Sequence, residues 1–330
     1  METRKKILIT IGDPAGIGPE VALKAFLQFH DKAIVFVGDA DVLSEAAALL
    51  KLNLAIRAVD SVSEAIFDKG ILNIIDVGAL RGLSWQKCVP TAIGGRASAQ
   101  FIRCAVEIIL NGGAEALVTA PISKEALMLG GVYYLGHTEM LAELSGATDY
   151  AMMLTGGRLR VILATIHTAI RNVPDMITLG RILGVIRHAN TAAYMLGIIA
   201  PRIAVAGLNP HAGEAGMFGR EEIEEIAPAI EAAALEGISV TGPHPPDTIF
   251  HKAYNGEVDI VVCMYHDQGL IPLKMIAFDR GVNMTIGLPF IRTSPDHGTA
   301  YDIAWQGRAS ATSMAEAIKM ASTLRLPTWR

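Results

Sequence analysis

Short runs of β-branched and aliphatic residues recur along the chain, and segments of helical period fill the gaps between them. The runs lie at 7–11, 34–37, 72–77, 116–119, 160–166, 202–208, 258–264 and 284–286, with helix-period stretches at 99–110, 177–196, 221–235 and 313–324. This alternation predicts an α/β protein with a mostly parallel sheet, its strands covered on both faces by helical crossovers. No low-complexity linker, internal repeat or long charge run interrupts the pattern. Any domain boundary is therefore expected in a short connection, with room for more than one crossing.

The strand exits are more informative than the strands themselves. Gly-Asp-Pro-Ala-Gly-Ile-Gly-Pro-Glu stands at 12–20, Ala-Pro-Ile-Ser-Lys at 120–124, His-Thr at 167–168, Asn-Pro-His-Ala-Gly-Glu at 209–214 and Tyr-His-Asp-Gln-Gly at 265–269. In open α/β sheets the ligand crevice lies beyond the carboxyl ends of the strands. The polar, glycine- and histidine-bearing segments all sit at such ends, which locates a site there.

His167, His211 and His266 each come shortly after a buried-type strand, so a parallel sheet brings them toward one edge. Three neutral imidazoles suit a divalent cation and leave coordination positions for substrate oxygens. Asp247 and Asp267 are candidates to orient the imidazoles or to take a proton, and Lys274 is a third candidate catalytic group. The local alternative for each histidine is a loop residue hydrogen-bonded to its neighbours. The basic residues Lys124, His137, Lys274 and Arg292 fall in otherwise uncharged, glycine- and proline-rich segments expected to be loops, and such groups bind phosphate or carboxylate. The alternative for each is a surface cation or a structural ion pair.

The loop at 12–20 occupies the place of a dinucleotide fingerprint but lacks its third glycine, and it has no Walker-type Gly-Lys-Ser/Thr after it. Pro19 in a first helical turn, preceded by Gly16 and Gly18, fits a tight strand-to-helix turn on structural grounds alone. A nicotinamide enzyme with this loop is non-Rossmann. The segment at 296–304, Asp-His-Gly-Thr-Ala-Tyr-Asp-Ile-Ala, is suited to hold a nucleotide by its backbone and a ribose by a carboxylate. Its alternative is a turn leading into a helix capped by Thr299.

Composition narrows the class. Of 330 residues, 51% are hydrophobic and 18% charged, which suits a doubly covered sheet and points to a buried subunit interface. A net charge of −5 argues against a nucleic-acid binder and requires any basic pocket to be local. Cys88, Cys104 and Cys263 are too few and too dispersed for a disulfide framework or a thiolate zinc site. The opening Met-Glu-Thr-Arg-Lys-Lys shows no secretory pattern and no long apolar run appears, so a cytoplasmic protein without a membrane span is expected.

The segments at 12–20, Gly-His-Thr-Glu at 136–139, Leu-Asn-Pro-His-Ala-Gly-Glu at 208–214, Met-Tyr-His-Asp-Gln-Gly at 264–269 and Gly-Leu-Pro-Phe-Ile-Arg-Thr-Ser at 287–294 together resemble the 4-hydroxythreonine-4-phosphate dehydrogenase family of vitamin B6 biosynthesis. The resemblance spans essentially the whole chain. It implies a two-domain α/β/α fold similar to the isocitrate and isopropylmalate dehydrogenases, expected as 1–130 plus 302–330 and as 131–301, the second with the metal site and dimer interface. It implies a homodimer with shared active sites, in which a divalent metal (zinc, cobalt, magnesium or manganese) is held by His167, His211 and His266. The position matching His266 comes from the partner subunit in that family. His137, Thr138, Lys274, Asn283 and Arg292 match its substrate-binding positions. The segment holding His297, Gly298, Thr299, Ala300 and Asp302 resembles the adenosine loop of isopropylmalate dehydrogenases, where a carboxylate like that of Asp302 goes with NAD rather than NADP.

The activity so implied is oxidation of 4-hydroxythreonine 4-phosphate to a β-keto acid that decarboxylates to 3-amino-2-oxopropyl phosphate, for pyridoxal phosphate biosynthesis. The nearest rival is a dehydrogenase of the same family acting on erythronate or threonate 4-phosphate; the family also has a dihydrodiol dehydrogenase branch, against which Lys274 and Arg292 with the Gly-Leu-Pro segment favour a phosphate. An acyl-phosphate transferase of related fold, and a metal or metabolite sensor without turnover, are rivals of other classes.

Overall fold

The computed structural model describes residues 4–327, in two compact units. The described part of the first comprises 4–148 and 288–323, and that of the second 149–287 and 324–327. Residues 1–3 and 328–330, assigned above to the first domain, lie outside the described residues.

The first unit begins with β1 (Lys6–Thr10), α1 (Gly18–Phe26), β2 (Ala33–Gly38), α2 (Ala40–Leu49), β3 (Ala55–Ala58) and β4 (Ile71–Asp76). It continues through α3 (Ala92–Leu110), β5 (Ala116–Thr119), α4 (Lys124–Leu129) and α5 (His137–Ser145). The second unit contains β6 (Ala151–Gly156), β7 (Leu159–Leu163), α6 (Val173–Met176), α7 (Leu179–Met195) and β8 (Ile203–Ala206). A π-helical turn (Glu222–Ile226) then leads to α8 (Ala227–Leu235), β9 (Val240–His244), α9 (Pro246–Tyr254), β10 (Ile260–Cys263), α10 (His266–Ala277) and β11 (Val282–Ile286). The chain closes the first unit with β12 (Ile291–Pro295) and α11 (Thr312–Thr323).

In the first unit the strand order is β3-β4-β2-β1-β5-β12, every neighbouring pair parallel. The strands β2 and β5 are buried at every position, as continuous apolar runs covered on both faces must be. In the second unit the order is β11-β6-β7-β10-β8-β9. Here β6 runs antiparallel to both β11 and β7, while β7, β10, β8 and β9 are mutually parallel along the row. Side chains of β7, β10 and α10, among them Val161, Leu163, Val261, Cys263, Leu270 and Leu273, form one buried cluster. Each such aliphatic side chain contributes roughly 1.5–3 kcal/mol by leaving water.

All eight apolar runs are strands. Four further strands escape the pattern for identifiable reasons. The edge strands β3 and β9 are half exposed, and β9 holds a Gly-Pro pair. The Ala-Met-Met-Leu of β6 carries no β-branched residue. The polar-looking Ile-Arg-Thr-Ser-Pro of β12 is buried throughout, so Arg292 lies on a strand rather than in the expected loop. Lys274 likewise lies in α10, because Pro272 sits inside that helix instead of ending it. No helix begins near Thr299: residues 301–307 form consecutive turns, and α11 starts at Thr312. The chain passes between units after Thr148 and Gly287, whereas the bounds expected from the resemblance put the passages after 130 and 301. The difference arises because α5 packs on α3 and β12 pairs with β5.

Candidate active site

In the second unit three neighbouring parallel strands, β7, β10 and β8, send their carboxyl ends to one edge. His167 comes after β7, His266 opens α10 directly after β10, and His211 comes after β8. The exits are tied together. Thr165 Oγ1 donates to the Met264 carbonyl at 2.7 Å, and the Gln268 side chain accepts from Met264 N (2.7 Å) while donating to the Gly207 carbonyl (2.8 Å). Gly269 lets α10 lie on the sheet: a Cβ there would stand 3.0 Å from Cys263 Sγ and 3.2 Å from Leu163 Cδ2.

His167 and His266 face each other with ring centroids 5.9 Å apart. Imidazoles that share one cation through bonds of about 2.1 Å have centroids roughly 5–6 Å apart; this same-chain pair falls in that range, whereas the family resemblance draws the His266 position from the partner subunit. Both line a cavity of about 490 Å³ with Ile166, Thr168, Tyr265 and Asp267. His266 Nδ1 is paired with Asp267 Oδ1 at 2.6 Å, which turns Nε2 to the other side of the ring as the nitrogen available to a ligand. Asp247 is exposed in the first turn of α9 and does not line this cavity. The ring of His211 lies 6.5 Å from that of Phe218. Among the described residues no three histidine, cysteine or acidic side chains of a single chain form a metal-holding group. The donor chemistry fits a divalent metal, and one chain brings two of the three expected imidazoles together.

The backbone around His211 is unusual. His211, Ala212, Glu214 and Ala215 all have left-handed dihedrals, with φ of 51°, 54°, 42° and 55°, and Gly213 continues the turn at 81°. Each non-glycine residue in that region costs roughly 1–2 kcal/mol, on the order of 4–8 kcal/mol for the four. Such a segment persists only where its surroundings over-determine it. The buried Glu222 carboxylate is part of those surroundings, accepting from the backbone N–H groups of Leu208 and Asn209.

Two further substrate candidates lie in this unit. Asn283, on β11, has its Oδ1 buried without a hydrogen-bond partner, and Lys274 is half-buried in α10.

In the first unit, His137 and Thr138 open α5, and Arg292 lies on β12 beside β5. Arg292 is only 3% exposed, and one guanidinium nitrogen donates to Thr119 Oγ1 at 2.8 Å. Burial lowers it to about 10, and the nearby Glu139 charge acts the other way, so it remains cationic at neutral pH. Burial holds the His137 imidazole well below the usual histidine range, and the charge of Arg292 pushes it further down. His137 Nε2 is buried without a partner. A buried cation beside a buried imidazole with an unused nitrogen is complementary to an anion.

The segment at 296–304 is docked on the loop at 12–20. Ile17 N donates to the Thr299 carbonyl (2.9 Å), the Tyr301 hydroxyl donates to Asp13 Oδ2 (2.6 Å), and the buried Glu20 carboxylate accepts from Trp305 N and Gly307 N. Burial raises both Asp13 and Tyr301 above their ordinary ranges. His297 Nε2 is buried without a partner, the space around Gly298 is open, and Asp302 is exposed. Open space at Gly298, in the same segment as the exposed Asp302 carboxylate, suits a nucleotide. The sequence pattern did not single out Glu20, Glu222 or Gln268. Glu222 had a signal, since it falls on the stripe with Ile226, Ala229 and Ala233 that α8 buries.

The pattern of the pyridoxal phosphate biosynthetic protein PdxA family matches residues 30–321. A 4-hydroxythreonine-4-phosphate dehydrogenase from Beijerinckia indica is 47% identical, covering 98% of this chain and 96% of the relative. A D-threonate 4-phosphate dehydrogenase from Salmonella typhimurium is 46% identical, covering 98% and 100%. The crystal structure of a 4-hydroxythreonine-4-phosphate dehydrogenase from Klebsiella pneumoniae superposes with a TM-score of 0.87 at 46% identity, covering 96% and 98%. Isocitrate dehydrogenase from Methylococcus capsulatus, with a TM-score of 0.51, 14% identity and coverage of 96% and 84%, shares the fold alone.

Proposed function

The chain belongs to the PdxA family of pyridoxal phosphate biosynthetic proteins, and from that premise we propose that it oxidises 4-hydroxythreonine 4-phosphate with NAD. The product is a β-keto acid that loses carbon dioxide to give 3-amino-2-oxopropyl phosphate, in the cytoplasm. The facing pair of His167 and His266 at parallel strand exits carries this reading. His167, His211 and His266 are the proposed ligands of a divalent cation, zinc, cobalt, magnesium or manganese. That cation would supply Lewis acidity, acidifying the C3 hydroxyl and polarising the ketone that forms.

The protein groups do the rest. Asp267 fixes the ring orientation of His266. Asp267 or Asp247 is the proposed proton acceptor. His137, Thr138 and Arg292 of the first unit and Lys274 and Asn283 of the second are the proposed substrate-binding groups, the cationic ones taking the phosphate. His297, Gly298, Thr299, Ala300 and Asp302 are the proposed cofactor segment. The exposed carboxylate of Asp302 favours NAD by accepting from a ribose 2′-hydroxyl and repelling a 2′-phosphate.

A homodimer completes the proposal. Ile271, Met275 and Phe278 are 59%, 83% and 76% exposed at a spacing that puts them on one face of α10 and its end. That apolar face begins one turn from His266, where a second copy would bring its own histidine.

D-threonate 4-phosphate is the second reading, supported by the Salmonella relative whose whole length the chain matches at nearly the same identity. Steady-state NADH formation with each purified 4-phosphate separates the two. The amino acid is expected to give the higher kcat/KM, with turnover abolished by chelation, restored by added metal and reduced at least a hundredfold in His211→Ala. Failure to oxidise either compound, or full activity of His211→Ala after chelation, would sink the proposal.

A further inference from the structure

We infer that Glu222 is the positioning residue for His211: its carboxylate grips the chain before the left-handed turn, lies against the middle of that turn, and so fixes where the histidine between them stands. The inference rests on the proposed metal-binding role of His211.

Glu222 is 2% exposed, and its two oxygens divide the work. Oε1 accepts from Leu208 N at 2.8 Å and Asn209 N at 2.7 Å, while Oε2 accepts from Asn209 Nδ2 at 2.9 Å. A Cβ on Gly213 would stand 2.7 Å from Oε2, so the carboxylate occupies the space beside the centre of the turn and only glycine fits there. His211 lies between the clamped Asn209 and the abutted Gly213. Within the segment, Ala212 N donates to the Asn209 carbonyl, and Met217 N and Phe218 N donate back to the Glu214 and Gly213 carbonyls. Those bonds close the turn on itself, while Glu222 ties it to the helical segment that follows. The π-helical turn that Glu222 opens carries it into α8, and the buried Ile226 of the turn with Ala229 and Ala233 of α8 anchors the carboxylate from behind. The neighbouring Glu221 differs: its Oε2 accepts only from the Asn209 side chain, at 2.7 Å, and leaves the backbone alone.

The test uses the full-length protein and cobalt(II) as the probe. Glu222→Gln keeps the volume but turns an acceptor into a donor facing Asn209; Glu222→Asp keeps the charge and shortens the reach; Glu221→Gln is the control. Hydrogen exchange is followed by mass spectrometry over 208–217, and cobalt binding by its visible absorption. In Glu222→Gln, exchange over 208–217 is expected to quicken at least tenfold while peptides of β7 and β10 keep their rates. Its cobalt affinity is expected to fall at least tenfold, with Glu222→Asp intermediate and Glu221→Gln like the wild type. Unchanged exchange and cobalt affinity in Glu222→Gln overturn the inference, as does an equal loss in Glu221→Gln, which would indicate a general effect of acidic charge. Wild-type cobalt affinity in His211→Ala would instead overturn the metal role of His211, and the exchange rates would then decide alone whether Glu222 holds the turn.

Discussion

At the scale of single residues, His137 has a consequence for stability as well as for binding. Its imidazole is kept neutral by burial and by Arg292, so its folded pKa lies below that of the unfolded chain, about 6.5. Between those two values the unfolded chain takes up a proton that the folded protein refuses. Stability is therefore retained above about pH 6.5 and lost as pH falls toward the lowered value. Calorimetry is expected to show a steeper fall in Tm from about pH 7.5 to about 5.5 in the wild type than in His137→Asn, which cannot titrate there. Inorganic phosphate, by supplying an anion to the same pair, should flatten the wild-type curve. Parallel curves for the two proteins would show that His137 is not held neutral.

At the scale of elements, the packing of α10 on the sheet depends on the absence of one methyl group. Gly269→Ala would press a Cβ against Cys263 and Leu163, and overpacking of this kind costs about 1–3 kcal/mol. A Tm lower by several degrees is expected, together with weaker metal binding, because His266 begins the same helix; a variant as stable as the wild type would refute the tight approach. Elements of this sort also show what could be read in advance. The eight apolar runs became strands because a doubly covered parallel sheet makes continuous hydrophobic segments unavoidable. Arg292 was misplaced to a loop because a buried strand with arginine, threonine and serine carries no apolar signature, one guanidinium nitrogen pairing instead with Thr119. Lys274 was misplaced because proline ordinarily ends a helix, and here α10 runs through Pro272. The placement of the three histidines after parallel strands was legible in the sequence. That only two of the rings pair within one chain was not, and no residue preference announces the left-handed backbone at His211.

At the scale of the whole molecule, the exposed face of α10 and the incomplete histidine set lead to one expectation. The wild type should sediment as a dimer at micromolar concentration, and Phe278→Glu, which places a charge in the apolar face, should sediment as a monomer with little turnover. Its far-ultraviolet dichroism should match the wild type, since Phe278 is 76% exposed and supports no core. A wild-type monomer with full activity would refute the shared site. Finally, the single amide of Gln268 reaches both Met264 and Gly207, so the exits of β10 and β8 share one fastener. A designer who transplanted the histidine loops to another parallel sheet without that glutamine would move the right ligands and lose their spacing.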